Sequence, residues 1–167
     1  MKAERGGFRM LRREQVMKEP IEDSYRPDAK LPDPARCPKC RATYLKGRWT
    51  WEKAPADAYV HRCPACQRIN DHFPAGYVTL KGKFDPEFRV QVLNLVKTRE
   101  ARAASEHPLQ RIMAVDDVAD GIRVTTTDAH LASGIARALH EAFHGSVELK
   151  YSRDEHLVRA IWRPERP

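Results

Sequence analysis

All four cysteines of this chain fall into two Cys-x-x-Cys pairs, Cys37-Pro38-Lys39-Cys40 and Cys63-Pro64-Ala65-Cys66, with 22 residues between them. No other feature limits the fold as strongly. A tetrahedral ion such as zinc takes four soft ligands at ~2.3 Å, and a Cys-x-x-Cys turn lets two sulfurs converge while its later amides face them. Two such turns joined by a strand-rich connection describe a four-cysteine zinc ribbon, with Cys37, Cys40, Cys63 and Cys66 as ligands of Zn2+. The segment holds too few apolar residues for a stable core, so metal binding would supply much of its folding free energy.

Three other chemistries use the same residues. Structural disulfides need an oxidising compartment, and Met1 to Met10 carries Lys2, Arg5 and Arg9 with no apolar stretch behind them. Thiol–disulfide exchange places Cys-x-x-Cys at the start of a helix in a βαβ unit, whereas Pro and short extended pieces surround both pairs here. Catalytic zinc needs an open coordination position, which four thiolates close. His61 and His72 lie near enough in sequence to substitute as ligands, but solvated side chains explain both.

The charge is uneven along the chain. Residues 1–30 carry +2, residues 31–84 carry +6 and residues 85–167 carry −1. A zinc ion with four thiolates lowers the middle segment only to about +4. A basic patch attracts polyanions, so nucleic acid is the first partner to consider, against the alternative of a solvated face. The cations are interleaved with Tyr44, Trp49, Trp51, Tyr59, Phe73 and Tyr77. Lys and Arg meet phosphate, and exposed rings stack on unpaired bases at roughly 1–3 kcal/mol each, a mixture suited to RNA. Lys39 lies inside the first knuckle, and Arg41 and Arg68 follow the two knuckles closely, so these three are expected at the surface. With Lys46, Arg48 and Arg62 they form the expected nucleic-acid contacts. At least one tryptophan is expected to form the ribbon's small core instead.

At 167 residues the chain is one ordinary domain or two small ones. Its 32% charged residues, above the usual ~25%, point to a small or divided core. No window approaches the ~18–20 apolar residues that span a bilayer, and the chain is read as a cytoplasmic protein without a membrane partner.

Residues 1–36, rich in Pro and charge, read as a flexible basic N-terminal arm with at most a short helix around Phe8 to Met17. Residues 37–84 read as the ribbon, with extended pieces at 48–52, 58–62 and 77–80; Trp49 and Trp51, two apart, would share one face. Residues 85–167 read as an α+β domain. Asp85-Pro86-Glu87 opens a helix over about 86–104 carrying Phe88, Val92, Leu95 and Val96. A hairpin follows at Leu109 to Val115 and Gly121 to Thr127, with Asp116 to Asp120 between its strands. Thr127 or Asp128 caps a second helix striped by Leu131, Ile135 and Leu139 and stopped at Gly145. Strands at 146–152 and 156–163 complete the order helix, two strands, helix, two strands. The simplest packing is a two-layer α/β sandwich, a four-stranded sheet with both helices on one face.

Other candidates are weaker. Thr125-Thr126-Thr127-Asp128 could present hydroxyls to an anion, but a strand end and an N-cap account for it. His107, His130, His140, His144 and His156 lack ligand spacing. There is no Gly-rich phosphate loop, nucleophile elbow or paired-carboxylate arrangement, so no catalytic residue and no small-molecule substrate is identified.

The span from about Leu31 to Arg163 resembles a family of short, uncharacterised bacterial zinc-ribbon proteins. The resemblance rests on Cys-Pro-x-Cys, Gly47-Arg48-Trp49-Thr50-Trp51, Cys63-Pro64-Ala65-Cys66, Pro74-Ala75-Gly76 and Val124 through Ala132, and it implies no established activity. More distantly, the paired knuckles ahead of an α/β segment are similar to the N-terminal zinc-binding part of archaeal and eukaryotic large-ribosomal-subunit export adaptors. Those adaptors have more cysteines and additional barrel domains, so transport is not implied. What the resemblance implies is ribosome or rRNA contact through Lys39, Arg41 and Arg68.

The expectation is therefore a non-enzymatic zinc-ribbon protein that binds RNA, ribosomal RNA or a ribosomal particle above all. A protein–protein adaptor using the uncovered sheet face, with Leu149, Tyr151, Ile161 and Trp162, is the alternative, and a thiol oxidoreductase an outside one.

Overall fold

The computed structural model describes residues 9–10, 25, 31–153 and 157–165. Before the second cysteine pair lie five short strands: β1 (Arg9–Met10), β2 (Ala35–Arg36), β3 (Thr43–Leu45), β4 (Arg48–Thr50) and β5 (Tyr59–Val60). Then come α1 (Pro64–Asp71), β6 (Gly76–Lys81), α2 (Pro86–Glu106), β7 (Ile112–Val118), β8 (Gly121–Thr126), α3 (Ala129–Phe143), β9 (Ser146–Ser152) and β10 (Leu157–Arg163). The strands form a four-stranded sheet in the order β4-β3-β2-β5 and a six-stranded sheet in the order β1-β9-β10-β6-β8-β7.

Both long helices begin where local chemistry puts them. The Asp85 carboxylate accepts the Phe88 N–H at 2.9 Å with Pro86 in the first turn of α2, and the Asp128 carboxylate accepts the Leu131 N–H at 3.0 Å at the start of α3. Each cap satisfies a donor that the first helical turn leaves without a partner. Leu131, Ile135 and Leu139 are fully buried along one face of α3, and Val92 and Val96 along α2. Against them stand Val78 and Leu80 of β6, Ile122 and Val124 of β8, and Val158, Ala160 and Trp162 of β10. At ~1.5–3 kcal/mol for each large apolar side chain buried, this layer is the main stabilising contact of the molecule. Trp162 lies at one end, stacked on Phe84 at 6.3 Å, its indole N–H donating to the His144 carbonyl at 2.7 Å.

The α+β class and the helices on one sheet face are as the sequence implies, but the sheet has six strands rather than four. Gly76–Lys81, read from sequence as part of the ribbon, occupies the sheet's centre, parallel to β10 and antiparallel to β8. Its alternation explains the placement, since Gly76, Val78 and Leu80 are buried while Tyr77, Thr79 and Lys81 face the other side. The basic ribbon segment therefore does not extend to residue 84. At the other end, Ala35–Arg36 already belongs to the smaller sheet, and Arg9–Met10, where a helix was expected, is a strand paired with β9. The rest of that expected helix lies outside the described residues. Strand β7 also runs on through Asp116 and Asp117, because Asp116 pairs with Arg123 and Val118 with Gly121.

The adaptor reading loses most of its residues here. Leu149, Tyr151 and Trp162 are buried on the helix-covered side of the sheet. Only Ile161 stands on the opposite face, among Tyr77, Lys81, Arg123 and Arg159, where the Arg159 guanidinium lies 4.4 Å from the Tyr77 ring centroid.

Candidate metal centre

The first cysteine pair is held by a tight knuckle. The Cys37 N–H donates to the Ala42 carbonyl at 2.9 Å, the Arg41 N–H to the Cys37 carbonyl at 3.0 Å, and Arg41 takes a left-handed φ of 65°. The chain then turns through the β3–β4 hairpin, whose tip residues Lys46 and Gly47 both have positive φ, 52° and 83°, as a two-residue hairpin loop requires. The second pair differs from the first, because Cys63 is the N-cap of α1 and Pro64 stands in its first turn. The Cys63 sulfur accepts the Cys66 N–H at 3.3 Å. A helix N-terminus carries partial positive charge and favours thiolate. The strands and Pro expected around both pairs give way, at the second pair, to a helix. The helix start supplies the setting that thiol exchange uses, yet the other two sulfurs converge on the same point.

The Sγ atoms of Cys37, Cys40, Cys63 and Cys66 all lie within 4.8 Å of one another, three of the residues buried and Cys40 half-buried. The four are free thiols. Cys40 and Cys63 stand 3.7 Å apart, far beyond a sulfur–sulfur bond of ~2.05 Å and close to the ~3.8 Å edge of a tetrahedron with ~2.3 Å metal–sulfur bonds. The donor set therefore fits a tetrahedral thiophilic ion. Neither His61 nor His72 belongs to the cluster; His72 closes α1 as its C-cap.

The sulfurs share protons unevenly. A hydrogen bond from Cys63, with help from the Ala42 backbone and the Arg111 charge, pulls the Cys40 thiol down to about 4, against the effect of burial. Cys63, the donor in that bond and itself buried, is pushed far up. Burial raises Cys66 as well, opposed by Arg111. So close a group of thiols cannot ionise together without a cation among them.

Arg111 is the residue that sequence reasoning missed. Its Nη2 donates to the sulfurs of Cys63 at 3.2 Å and Cys66 at 3.4 Å. Burial disfavours its charge, but the bond to Cys66 and the field of the cysteines hold its pKa above the ordinary value. Its backbone N–H is anchored on the Thr127 hydroxyl at 2.9 Å, and Thr127 also donates to the Leu109 carbonyl at 2.6 Å. The hydroxyls of Thr126 and Thr127 ahead of α3 are thus engaged within the fold, and Asp128 is the cap. Nothing in the cysteine spacing points to a residue 45 positions beyond Cys66; the one trace is a charge interrupting the apolar run Leu109 to Val115.

Lys39 and Arg41 are exposed, as expected; Lys46 and Arg48 are exposed too, and Arg62 is half-buried. Arg68 is not at the surface, being 2% exposed. Because the second pair opens a helix, Arg68 falls three residues after Ala65 on the inward face of α1. It donates to the Phe73 carbonyl at 3.0 Å and lies over the Tyr25 ring at 4.4 Å. The tryptophans also part company. Trp49 packs on the cysteine cluster beside Tyr44, whereas Trp51, past the end of β4, is 44% exposed and donates to the Ala104 carbonyl of α2 at 2.6 Å. Beside the first knuckle, Arg36, Arg41, Lys53 and Trp51 line a cleft of about 540 Å³ together with Pro38 and Glu52.

No protein family, no curated protein and no solved structure matches the chain. Among the described residues no helix is long and apolar enough to cross a membrane.

Proposed function

We propose that this is a cytoplasmic, non-enzymatic protein in which Zn2+, held by Cys37, Cys40, Cys63 and Cys66, rigidifies a small unit that binds RNA, ribosomal RNA or a ribosomal particle above all. One observation carries the reading: the cleft against the first knuckle assembles Arg36, Arg41 and Lys53 around a half-exposed Trp51 that α2 pins in place. Guanidinium and ammonium groups suit phosphate, and a fixed indole offers a stacking surface without further ordering entropy. Lys39, on the knuckle, and Lys46 and Arg48, at the hairpin, extend the cationic surface. The resemblance to ribosomal export adaptors points the same way, now through Lys39 and Arg41 and without Arg68.

Electrophoretic shifts of the metal-loaded protein with rRNA fragments test the proposal. Contact with four phosphates gives a slope of log K against log salt near −3, at roughly −0.7 per phosphate on single strands. Arg41→Gln and Lys53→Gln each flatten that slope, and Trp51→Leu weakens binding at every salt concentration. Absent or salt-insensitive binding removes the proposal.

A protein partner is the second reading, supported by Tyr59 and Val60, 60% and 65% exposed on the edge strand of the small sheet. A complex that survives nuclease treatment and is lost with Val60→Lys favours it. Thiol exchange would require the metal-free protein to reduce a disulfide substrate near neutral pH.

A further inference from the structure

A second cationic cleft, of about 280 Å³, lies away from the sulfurs, between the C-terminal half of α2 and the first turns of α3. Arg99, Arg102 and Arg137 line it, with His107, His130 and one carboxylate, Glu106. None of the three guanidiniums makes an ion pair or hydrogen bond among the described residues. Arg102 has Glu106 one turn further along the helix, the spacing at which such pairs ordinarily close, and the two do not engage. Three like charges gathered around one carboxylate repel one another, an arrangement that an anion relieves.

The arginines are also placed with some precision. Gly134, buried in the interior of α3, faces Arg99: a Cβ built there would stand 3.3 Å from Arg99 Nη2 and 3.4 Å from its Nε. Glycine is unfavourable inside a helix, and here it lets a guanidinium lie against the α3 backbone. The planar fork of an arginine matches the oxygens of a phosphate in paired hydrogen bonds, and His107, His130 and Gln110 add donors around the same space. His107 and Gln110 also line an adjoining cleft that runs past Leu109 to Trp49, on the metal unit.

We propose that Arg99, Arg102 and Arg137 form a binding site for a phosphate ester, distinct from the cleft at the first knuckle. The shared chemistry is the phosphate group, whether from a nucleic-acid backbone or from a small phosphorylated molecule. The inference does not depend on the RNA contact proposed for the metal unit.

The test follows the arginine Nε–Hε NMR signals of the metal-loaded full chain during titration with inorganic pyrophosphate and, separately, with oligouridylate, each against sodium chloride of equal ionic strength. Saturable shifts of Arg99, Arg102 and Arg137 with pyrophosphate are expected. Arg137→Gln should weaken them roughly tenfold, the loss of one charged hydrogen-bonding group. Lys97→Gln, which removes an exposed charge from the same helix but not from the cleft, should leave them unchanged. Saturation by oligouridylate alone also supports the site and identifies its source as a nucleic-acid backbone. Shifts that merely follow ionic strength, or no shift with either probe, overturn the proposal. rRNA binding that persists in Arg99→Gln/Arg137→Gln would leave the metal-unit reading standing on its own.

Discussion

Replacing Arg111 with Met separates a built metal centre from an incidental meeting of thiols. A divalent ion in four thiolates leaves two negative charges in excess, and Arg111 is placed to offset one of them with N–H···S bonds of 3.2 and 3.4 Å. Methionine keeps much of the side-chain length and the apolar stem while removing the charge and both donors. Outer partners of metal ligands are typically worth 10- to 100-fold in affinity, about 1.4–2.7 kcal/mol. Because Arg111 is only half-buried, water recovers part of the loss, and the expectation lies toward the lower end, about tenfold. Competition against a chromophoric chelator near neutral pH measures it directly. Arg111→Lys retains the charge without the fork and should fall between. The backbone bond from Arg111 to Thr127 survives both changes, so urea denaturation of the sheet domain should shift little. Unchanged metal affinity in Arg111→Met would refute the reasoning, because the guanidinium would then contribute nothing to the charge of the centre.

Metal loading should release protons, Cys63 and Cys66 among their sources, because the bond to Cys40 and burial hold Cys63, and burial holds Cys66, above the ordinary thiol value of 9.0. Affinity therefore rises with pH and falls as acid returns those protons, and calorimetry in buffers of different ionisation enthalpy counts them. Removing the metal with a chelator should raise hydrogen exchange across residues 35–73 and leave the central strands β6, β8 and β10 protected, since the latter rest on apolar burial. Trp162→Ala should lower stability by ~3–5 kcal/mol in urea denaturation, through the cavity left among Phe84, Phe143 and the sheet. Asp128→Ala should lower it by ~1 kcal/mol through loss of the cap on α3.

What the sequence makes legible is what depends on near neighbours. Asp85-Pro86 and Asp128 announce helix starts because a cap acts within three residues, and paired cysteines announce ligands because a knuckle is a local turn. Arg68 shows where neighbourhood misleads: following a knuckle implies exposure only if the knuckle ends in loop, and here it opens a helix that turns Arg68 inward. Strand β6 shows a second limit. Its alternation of Val78 and Leu80 with Tyr77 and Thr79 is visible, but whether it joins the near sheet or the far one depends on pairing with β8 and β10, whose partner residues lie 40 to 82 positions away. Arg111 is set by the same long-range assembly, since the contact of Trp51 with α2 and of Leu109 with the cysteine cluster brings the two sheets together around it.

The central claim is that one ion joins both cysteine pairs. Elemental analysis of freshly purified full-length protein, combined with X-ray absorption at the metal edge, tests it most directly. The account predicts one zinc per chain surrounded by four sulfurs at ~2.3 Å. A chain with no stoichiometric metal, its thiols free or oxidised to one another, would contradict it.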